Sequence, residues 1–286
     1  MSVLITDVSS NNGKIDFAIM KKQVAGVIIR AGYRGYSAGT IKTDAKYQSN
    51  IAAAEAVGLP VGVYWYTTAK SKAEAKDEAD YLLKLIKGHK LSFPVFLDLE
   101  YAPGRKGRAD SISAARRTMY AVTWLERVNA AGYDVGVYCN PDFWADGLVS
   151  DKLKKYARWI ARYGAKCPVD CDMWQYTSTA TGSLYGQSGG YIDASHCYTD
   201  FIGGATSKFA GGATTAKKEA TKDMDTLRRG DEGQQVKVLQ KLLGGLTVDG
   251  IFGAGTETAV KAYQTTKGLT ADGICGPLTW DALLGD

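Results

Sequence analysis

Short apolar runs alternate with longer amphipathic stretches along the first half of the chain. Residues 2–8, 26–30, 61–66, 94–100 and 135–139 are brief, rich in β-branched and aromatic side chains, and bounded by turn residues, which predicts buried strands. Between them, residues 15–22, 44–57, 71–87 and a stretch from Ser111 or Ser113 to 131 have helical length and punctuation. Gly58-Leu59-Pro60 stops the second helix, Ser71 and Glu74 form a capping box for the third, and Gly132 ends the fourth. Beyond residue 140 the rhythm loosens. Strands are expected at 158–161, 172–177 and 191–195, and no full helix fits between these last three. Eight strands in this order predict an α/β fold, an irregular TIM-like (β/α) barrel that lacks helices between its last strands. An open doubly wound sheet is the alternative. It wants a glycine-rich phosphate turn after the first strand, and Ser9-Ser10-Asn11-Asn12-Gly13 is not one.

The pattern changes again after residue 202. Residues 203–224 are rich in Gly, Ala, Thr and Lys with almost no large apolar side chain, the composition of a flexible linker. Residues 225–286 return to helical spacing at 234–243 and 256–267 and predict a small all-α three-helix domain. An internal repeat runs through it. Val248-Asp249-Gly250-Ile251-Phe252-Gly253 with Thr256 recurs as Ala271-Asp272-Gly273-Ile274-Cys275-Gly276 with Thr279. Asp249 and Asp272 lack the alternating oxygen ligands of a calcium loop, so the Asp-Gly pairs read as turns.

Charge and cysteine content narrow the function classes. The net charge is +5, spread as 25 basic and 20 acidic residues over 1–202, 4 and 2 over 203–224, and 6 and 8 over 225–286. No segment carries the dense basic stripe of a nucleic-acid binder. No run of about 20 apolar residues predicts a membrane span, so no stable membrane association is expected. The first residues show neither a basic n-region nor a long apolar h-region, so no secretory signal peptide is expected. Five cysteines make no disulfide framework and suit synthesis in a reducing cytoplasm. Cys167, Cys171, His196 and Cys197 fit no zinc spacing, and two histidines are few for a zinc amidase or peptidase. No metal or organic cofactor is expected.

The chemistry centres on Asp98 and Glu100. On a strand they share a face, with Cα atoms roughly 6.6 Å apart. Two carboxylates that close push their proton affinities apart, so one holds a proton while the other stays ionised, as glycoside hydrolysis requires. In a barrel, Asp7 at the end of the first strand and Asp193 on the last share one rim with this pair. Arg30 and Tyr33 end the second strand, Tyr64 and Tyr66 the third, Tyr138 the fifth, and Trp174 lies on the seventh, so aromatic side chains would ring four acids.

These residues carry a resemblance. Asp7-Val8-Ser9-Ser10, Arg30-Ala31-Gly32-Tyr33, Gly62-Val63-Tyr64-Trp65-Tyr66, Phe96-Leu97-Asp98-Leu99-Glu100, Trp159-Ile160-Ala161-Arg162-Tyr163, Trp174-Gln175-Tyr176-Thr177 and Tyr191-Ile192-Asp193 resemble the lysozymes of glycoside hydrolase family 25, over residues 1–202 and in the right order. The family's last strand usually reads Val-Asp-x-Asn, where this chain has Ile192-Asp193-Ala194-Ser195. Leu227-Arg228-Arg229-Gly230-Asp231-Glu232-Gly233 with the helix after it resembles the type 1 peptidoglycan-binding domain over 225–286. The resemblance implies an endolysin-type N-acetylmuramidase. It would hydrolyse the β-1,4 bond between N-acetylmuramic acid and N-acetylglucosamine in bacterial peptidoglycan, its partner. Glu100 would be the general acid and Asp98 its ionised neighbour. Asp7 and Asp193 would tune Glu100, and Tyr64, Tyr66, Tyr138 and Trp174, with Arg30 and Tyr33, would bind sugar. Such a protein would be made in the host cytoplasm and act at the wall after release. The alternatives are another barrel glycosidase, of glucosaminidase or chitinase type, and a non-catalytic wall-binding protein.

Overall fold

The computed structural model describes residues 2–164, 167, 169–204 and 226–284. The chain divides into two compact units, Met1–Gly212 and Ala213–Asp286. In chain order the first unit holds β1 (Val3–Val8), α1 (Phe17–Gln23), β2 (Gly26–Arg34), β3 (Ile41–Thr43), α2 (Tyr47–Ala56), β4 (Val61–Tyr66), α3 (Lys72–Ile86), β5 (Val95–Asp98), α4 (Ala114–Ala130), β6 (Val135–Cys139), β7 (Ala157–Ala161), β8 (Met173–Thr181) and β9 (Tyr191–Cys197). Side-chain caps start α1, α3 and α4, the last two where the sequence places them. Asp16 accepts the amides of Ala18 and Ile19, Ser71 that of Glu74, and Ser113 that of Arg116. The Glu74 carboxylate reaches the Lys70 amide rather than that of Ser71, one residue earlier than a standard capping box.

Eight strands close the barrel in the order β1-β2-β4-β5-β6-β7-β8-β9, with β9 returning to β1. The ninth, β3, was not expected from the sequence. It pairs antiparallel with the outer end of β2, at Gly32 to Arg34. Neighbours from β1 through β8 run parallel, but β9 runs antiparallel to both β8 and β1. Only residues 182–190 connect β8 to β9. A parallel return needs a crossover of a dozen or more residues, so this connection can only reverse the chain.

Alternation along each strand sorts side chains to two faces. The outward residues of β2, β4, β5 and β6, among them Val27, Ile29, Val63, Leu97 and Val137, are buried under Met20, Ile51, Leu82, Trp124 and Leu125 of the four helices. The inward residues Ile5, Ile28, Phe96, Trp159, Met173 and Cys197 fill the barrel. Glycine makes room for the large rings. A Cβ at Gly26 would lie 2.5 Å from the Phe93 ring, and one at Gly136 would lie 2.5 Å from Phe96. One charge is locked in the helix layer. Glu78 on α3, fully buried, accepts from Arg34 Nε at 2.6 Å and Trp65 Nε1 at 2.9 Å, tying α3 to β2 and β4. Burial pushes its carboxyl up to about 7.

Beyond Gly204, the segment 203–224 that reads as a linker lies outside the described residues. The second unit holds α5 (Gln234–Leu243), α6 (Ala254–Thr266) and α7 (Pro277–Leu284). Its sequence repeat is a structural repeat. Gln240 Nε2 donates to Asp249 at 2.8 Å, the Ile251 carbonyl at 3.0 Å and Thr256 at 3.1 Å, and its Oε1 accepts from the Gly250 amide at 2.9 Å. Gln264 makes the same four bonds to Asp272, Ile274, Thr279 and Gly273, at 2.8, 3.0, 3.0 and 2.9 Å. Gly250 and Gly273 adopt φ of +83° and +78°, which explains the glycine in each Asp-Gly turn. Among the described residues, no helix is long and apolar enough to cross a membrane.

Candidate active site

The inward positions nearest the carboxyl ends of the parallel strands are polar on seven of the eight barrel strands. They are Asp7 (β1), Arg30 (β2), Tyr64 and Tyr66 (β4), Asp98 (β5), Tyr138 (β6), Gln175 (β8) and Asp193 (β9). Asp193 reaches this rim because β9 is reversed, which brings it level with Asp7 as a cross-strand partner. Asp98 is the last residue of β5, so Glu100 stands just past the strand end rather than on it. Asp7 and Asp98 are buried, Asp193 is half-buried and Glu100 is exposed.

The four carboxyls act on one another. Burial, then Asp193, raises Asp7 well above the usual carboxylate range, while the Gln175 amide opposes the shift. Burial and the Glu100 charge raise Asp98 in the same way, opposed by Arg30. Glu100 is raised by the protein packed around it and by Asp193, although its carboxyl still meets solvent. Partial burial lifts Asp193 to about 6. Four acids in mutual range cannot all ionise near neutral pH, so the cluster retains a proton. Asp98 Oδ1 is buried with no hydrogen-bond partner among the described residues. An unpaired buried acceptor of this kind is costly, and it is available to a ligand.

Arg30 faces the rim, but its guanidinium is held by Asp44 at 2.7 Å and by the Ser10 hydroxyl at 3.0 Å, 5.4 Å from the Tyr33 ring centroid. It therefore supplies positive charge to Asp98 rather than a free donor fork. Tyr64 and Tyr138 stand edge-on to Trp159, at 6.3 and 4.6 Å between centroids. Tyr66 lies within electrostatic range of Asp98 and Glu100. Trp174 is a correction to the expected sugar-stacking set. On β8 it alternates with Gln175, so when Gln175 turns inward Trp174 turns outward. Its Nε1 donates to the Arg162 carbonyl at 2.7 Å, and its ring lies beside Tyr176 and His196 on the outer face. His196 points outward and Cys197 inward, so Cys167, Cys171, His196 and Cys197 do not converge. Among the described residues, no group of three His, Cys, Asp or Glu side chains is placed to hold a metal ion.

Sequence reasoning gave no role to Gln175, which the structure puts at the centre, or to Tyr163, whose hydroxyl reaches it from an exposed position. Gln175, 2 % exposed, donates to Asp7 Oδ2 at 2.9 Å. Its Oε1 accepts from the Tyr138 hydroxyl at 2.9 Å and the Tyr163 hydroxyl at 3.2 Å. Two phenol donors on the oxygen orient the amide so that its nitrogen faces the carboxylate. Both residues lie in stretches that carried the resemblance, and strand alternation beside Trp174 was the available signal.

A family model for glycosyl hydrolases family 25 matches residues 6–184. The chain belongs to glycosyl hydrolase family 25. Asp193 lies beyond the matched residues of this family 25 chain and is tied to the site by its pairing with Asp7. A peptidoglycan binding domain model matches residues 232–283. The autolytic lysozyme of Clostridium acetobutylicum is 30% identical over 279 residues, 96% of this chain and 76% of that protein. The modular autolysin LytC from Streptococcus pneumoniae, solved with a synthetic peptidoglycan ligand, has a TM-score of 0.60 at 28% identity. That match covers 69% of this chain and 47% of LytC, so the chain spans about half of that relative. The catalytic domain of endolysin ply40, from bacteriophage P40 of Listeria monocytogenes, has a TM-score of 0.60 at 26% identity, covering 74% of this chain and 98% of that one.

Proposed function

We propose that the protein is an endolysin-type N-acetylmuramidase that cuts the β-1,4 bond between N-acetylmuramic acid and N-acetylglucosamine in peptidoglycan. The observation that carries this reading is the convergence of four carboxyls with raised proton affinity on one rim, which together retain a proton, with Glu100 the exposed member. Glu100, raised by burial and by Asp193, holds its proton to higher pH than a free carboxyl and delivers it to the leaving glycosidic oxygen. General acid catalysis of this kind contributes about 10²–10⁴ in rate. Asp98, in the ionised form that the Arg30 charge favours, steadies positive charge that develops on the sugar. Its unpartnered Oδ1 accepts from the substrate's 2-acetamido group as that group closes on the anomeric carbon. Direct attack by Asp98 is the rival route.

Asp193 raises Glu100 through its charge, and Asp7, held by Gln175, pairs with Asp193 across the strands. Tyr64, Tyr66 and Tyr138, with Tyr33, supply ring faces and hydroxyls for saccharide units. Arg30 acts by charge, and Trp174 has no part in sugar binding. The second unit binds the wall, which raises the local concentration of the rim on an insoluble substrate. The setting we infer is lysis of a bacterial host from within, in line with the endolysin among the structural relatives.

The test is reducing-end release from purified walls by wild type, Glu100→Gln and Asp98→Asn. Loss of at least about 10²-fold in both variants, with wall binding kept, supports the assignment. Full activity in Glu100→Gln refutes it.

A further inference from the structure

Cys167 and Cys171 lie between β7 and β8, and neither belongs to the acid cluster. Their sulfurs are 3.7 Å apart, and the Cys171 thiol is directed at Cys167 Sγ. Cys167 in turn donates to the Val169 carbonyl at 3.3 Å. A disulfide needs the sulfurs at about 2.05 Å, a closure of under 2 Å from the reduced separation. All five cysteines of the chain are thiols, and Cys167 is the one that is not buried. Cys139, Cys197 and Cys275 sit singly in packed interiors, and burial raises each of their thiols, Cys197 and Cys275 to about 12. Thiolate chemistry is correspondingly suppressed at those three.

We propose that Cys167 and Cys171 are a dithiol redox site that reacts with low-molecular-weight disulfides to close a reversible intramolecular disulfide. Cys167, as the thiolate, attacks one sulfur of the small disulfide. That S–S bond breaks, one small thiol leaves, and a mixed disulfide remains on Cys167. Cys171, as its thiolate, then attacks Cys167 Sγ and expels the second small thiol. Two protein thiols are oxidised, one small disulfide is reduced to two thiols, and the two protons pass to the departing thiolates. Passage from a reducing cytoplasm to an oxidising exterior is the change such a site would register. The position gives the bond a place to act. Tyr163 lies four residues before Cys167 and Gln175 four after Cys171, and these two share the hydrogen bond that helps orient the amide on Asp7.

The experiment treats the full chain with oxidised glutathione, quenches it by alkylation under denaturing conditions, and fragments the peptides to locate each cysteine's state. The expected result for wild type is a Cys167–Cys171 disulfide that dithiothreitol reverses, with Cys139, Cys197 and Cys275 alkylated. Cys171→Ser should instead stop at a glutathione adduct on Cys167. Wild type that keeps both thiols, or that accumulates the Cys167 adduct as Cys171→Ser does, overturns the proposal. Equal oxidation of the three buried cysteines also overturns it. None of these readouts depends on the glycan-cleaving activity.

Discussion

Replacing Asp193 with asparagine removes one charge from the rim while keeping the side chain's shape. In the folded protein this carboxyl titrates near 6 rather than its ordinary 3.8, because partial burial penalises the ionised form. A carboxyl whose folded pKa is raised costs nothing below the unfolded value. The penalty grows as pH rises from the unfolded value to the folded one and is constant above it. The shift of about two pH units amounts to about 3 kcal/mol when fully expressed. Asp193 is half-buried, so solvent screening reduces the measurable part to about 1–2 kcal/mol. Asp193→Asn should therefore stabilise the protein by that amount at about pH 8, and by no more than about 0.6 kcal/mol at about pH 4. The assay is urea unfolding followed by tryptophan fluorescence, which reports mainly on the barrel, since five of the six tryptophans lie there. An equal gain at both pH values, or a loss at the higher one, would refute the claim that Asp193 is strained by its charge. The same variant should lose activity. Stability held back at a catalytic site is a common trade.

Further outcomes follow from the same geometry. Gln175→Leu leaves Asp7 without its amide donor and two tyrosine hydroxyls without their acceptor. It should cost about 1–3 kcal/mol of stability and about 10–100-fold in kcat, measured by urea unfolding and wall-cleavage kinetics. Trp174→Ala should lower stability by about 1–3 kcal/mol through lost packing on the outer face, yet leave KM for soluble glycan fragments within about twofold. Gln240→Ala and Gln264→Ala each remove the same four hydrogen bonds and should destabilise the second unit equally, by about 2–3 kcal/mol. Hydrogen exchange over residues 234–284 would check this. Activity should fall on the alkaline side as Glu100 loses the proton that burial and Asp193 help it hold, and Asp193→Asn should move that limb to lower pH in kcat/KM profiles.

The barrel was legible because its strands obey local rules. Val61–Tyr66 and Val135–Cys139 fall where the apolar runs place them, and Ser71 and Ser113 cap the helices expected of them. What the sequence hid was set by connection length and by tertiary pairing. The reversal of β9 follows from a connection too short for a crossover, and β3 is three residues with no apolar signature of its own. Asp7, Asp98 and Glu100 could be named from strand ends. The pairing of Asp193 with Asp7 needed the reversal. Trp174 was misplaced for a simple reason. An aromatic residue next to a site motif looks like a ligand platform until alternation assigns it a face, and that same alternation gives the inward place to Gln175. The repeat in the second unit was visible as Asp-Gly turns, but its glutamine anchors, Gln240 and Gln264, lie in the preceding helices and carry no motif.

The central claim is that this rim cleaves the glycan on the reducing side of N-acetylmuramic acid with Glu100 as the proton donor. It is tested most directly by mass spectrometry of borohydride-reduced fragments from purified peptidoglycan, wild type beside Glu100→Gln. Reduced muramic acid ends from wild type, absent with the variant, are the predicted result. Reduced glucosamine ends would make the protein a glucosaminidase, and no fragments from a wild type that still binds the wall would contradict a catalytic rim altogether.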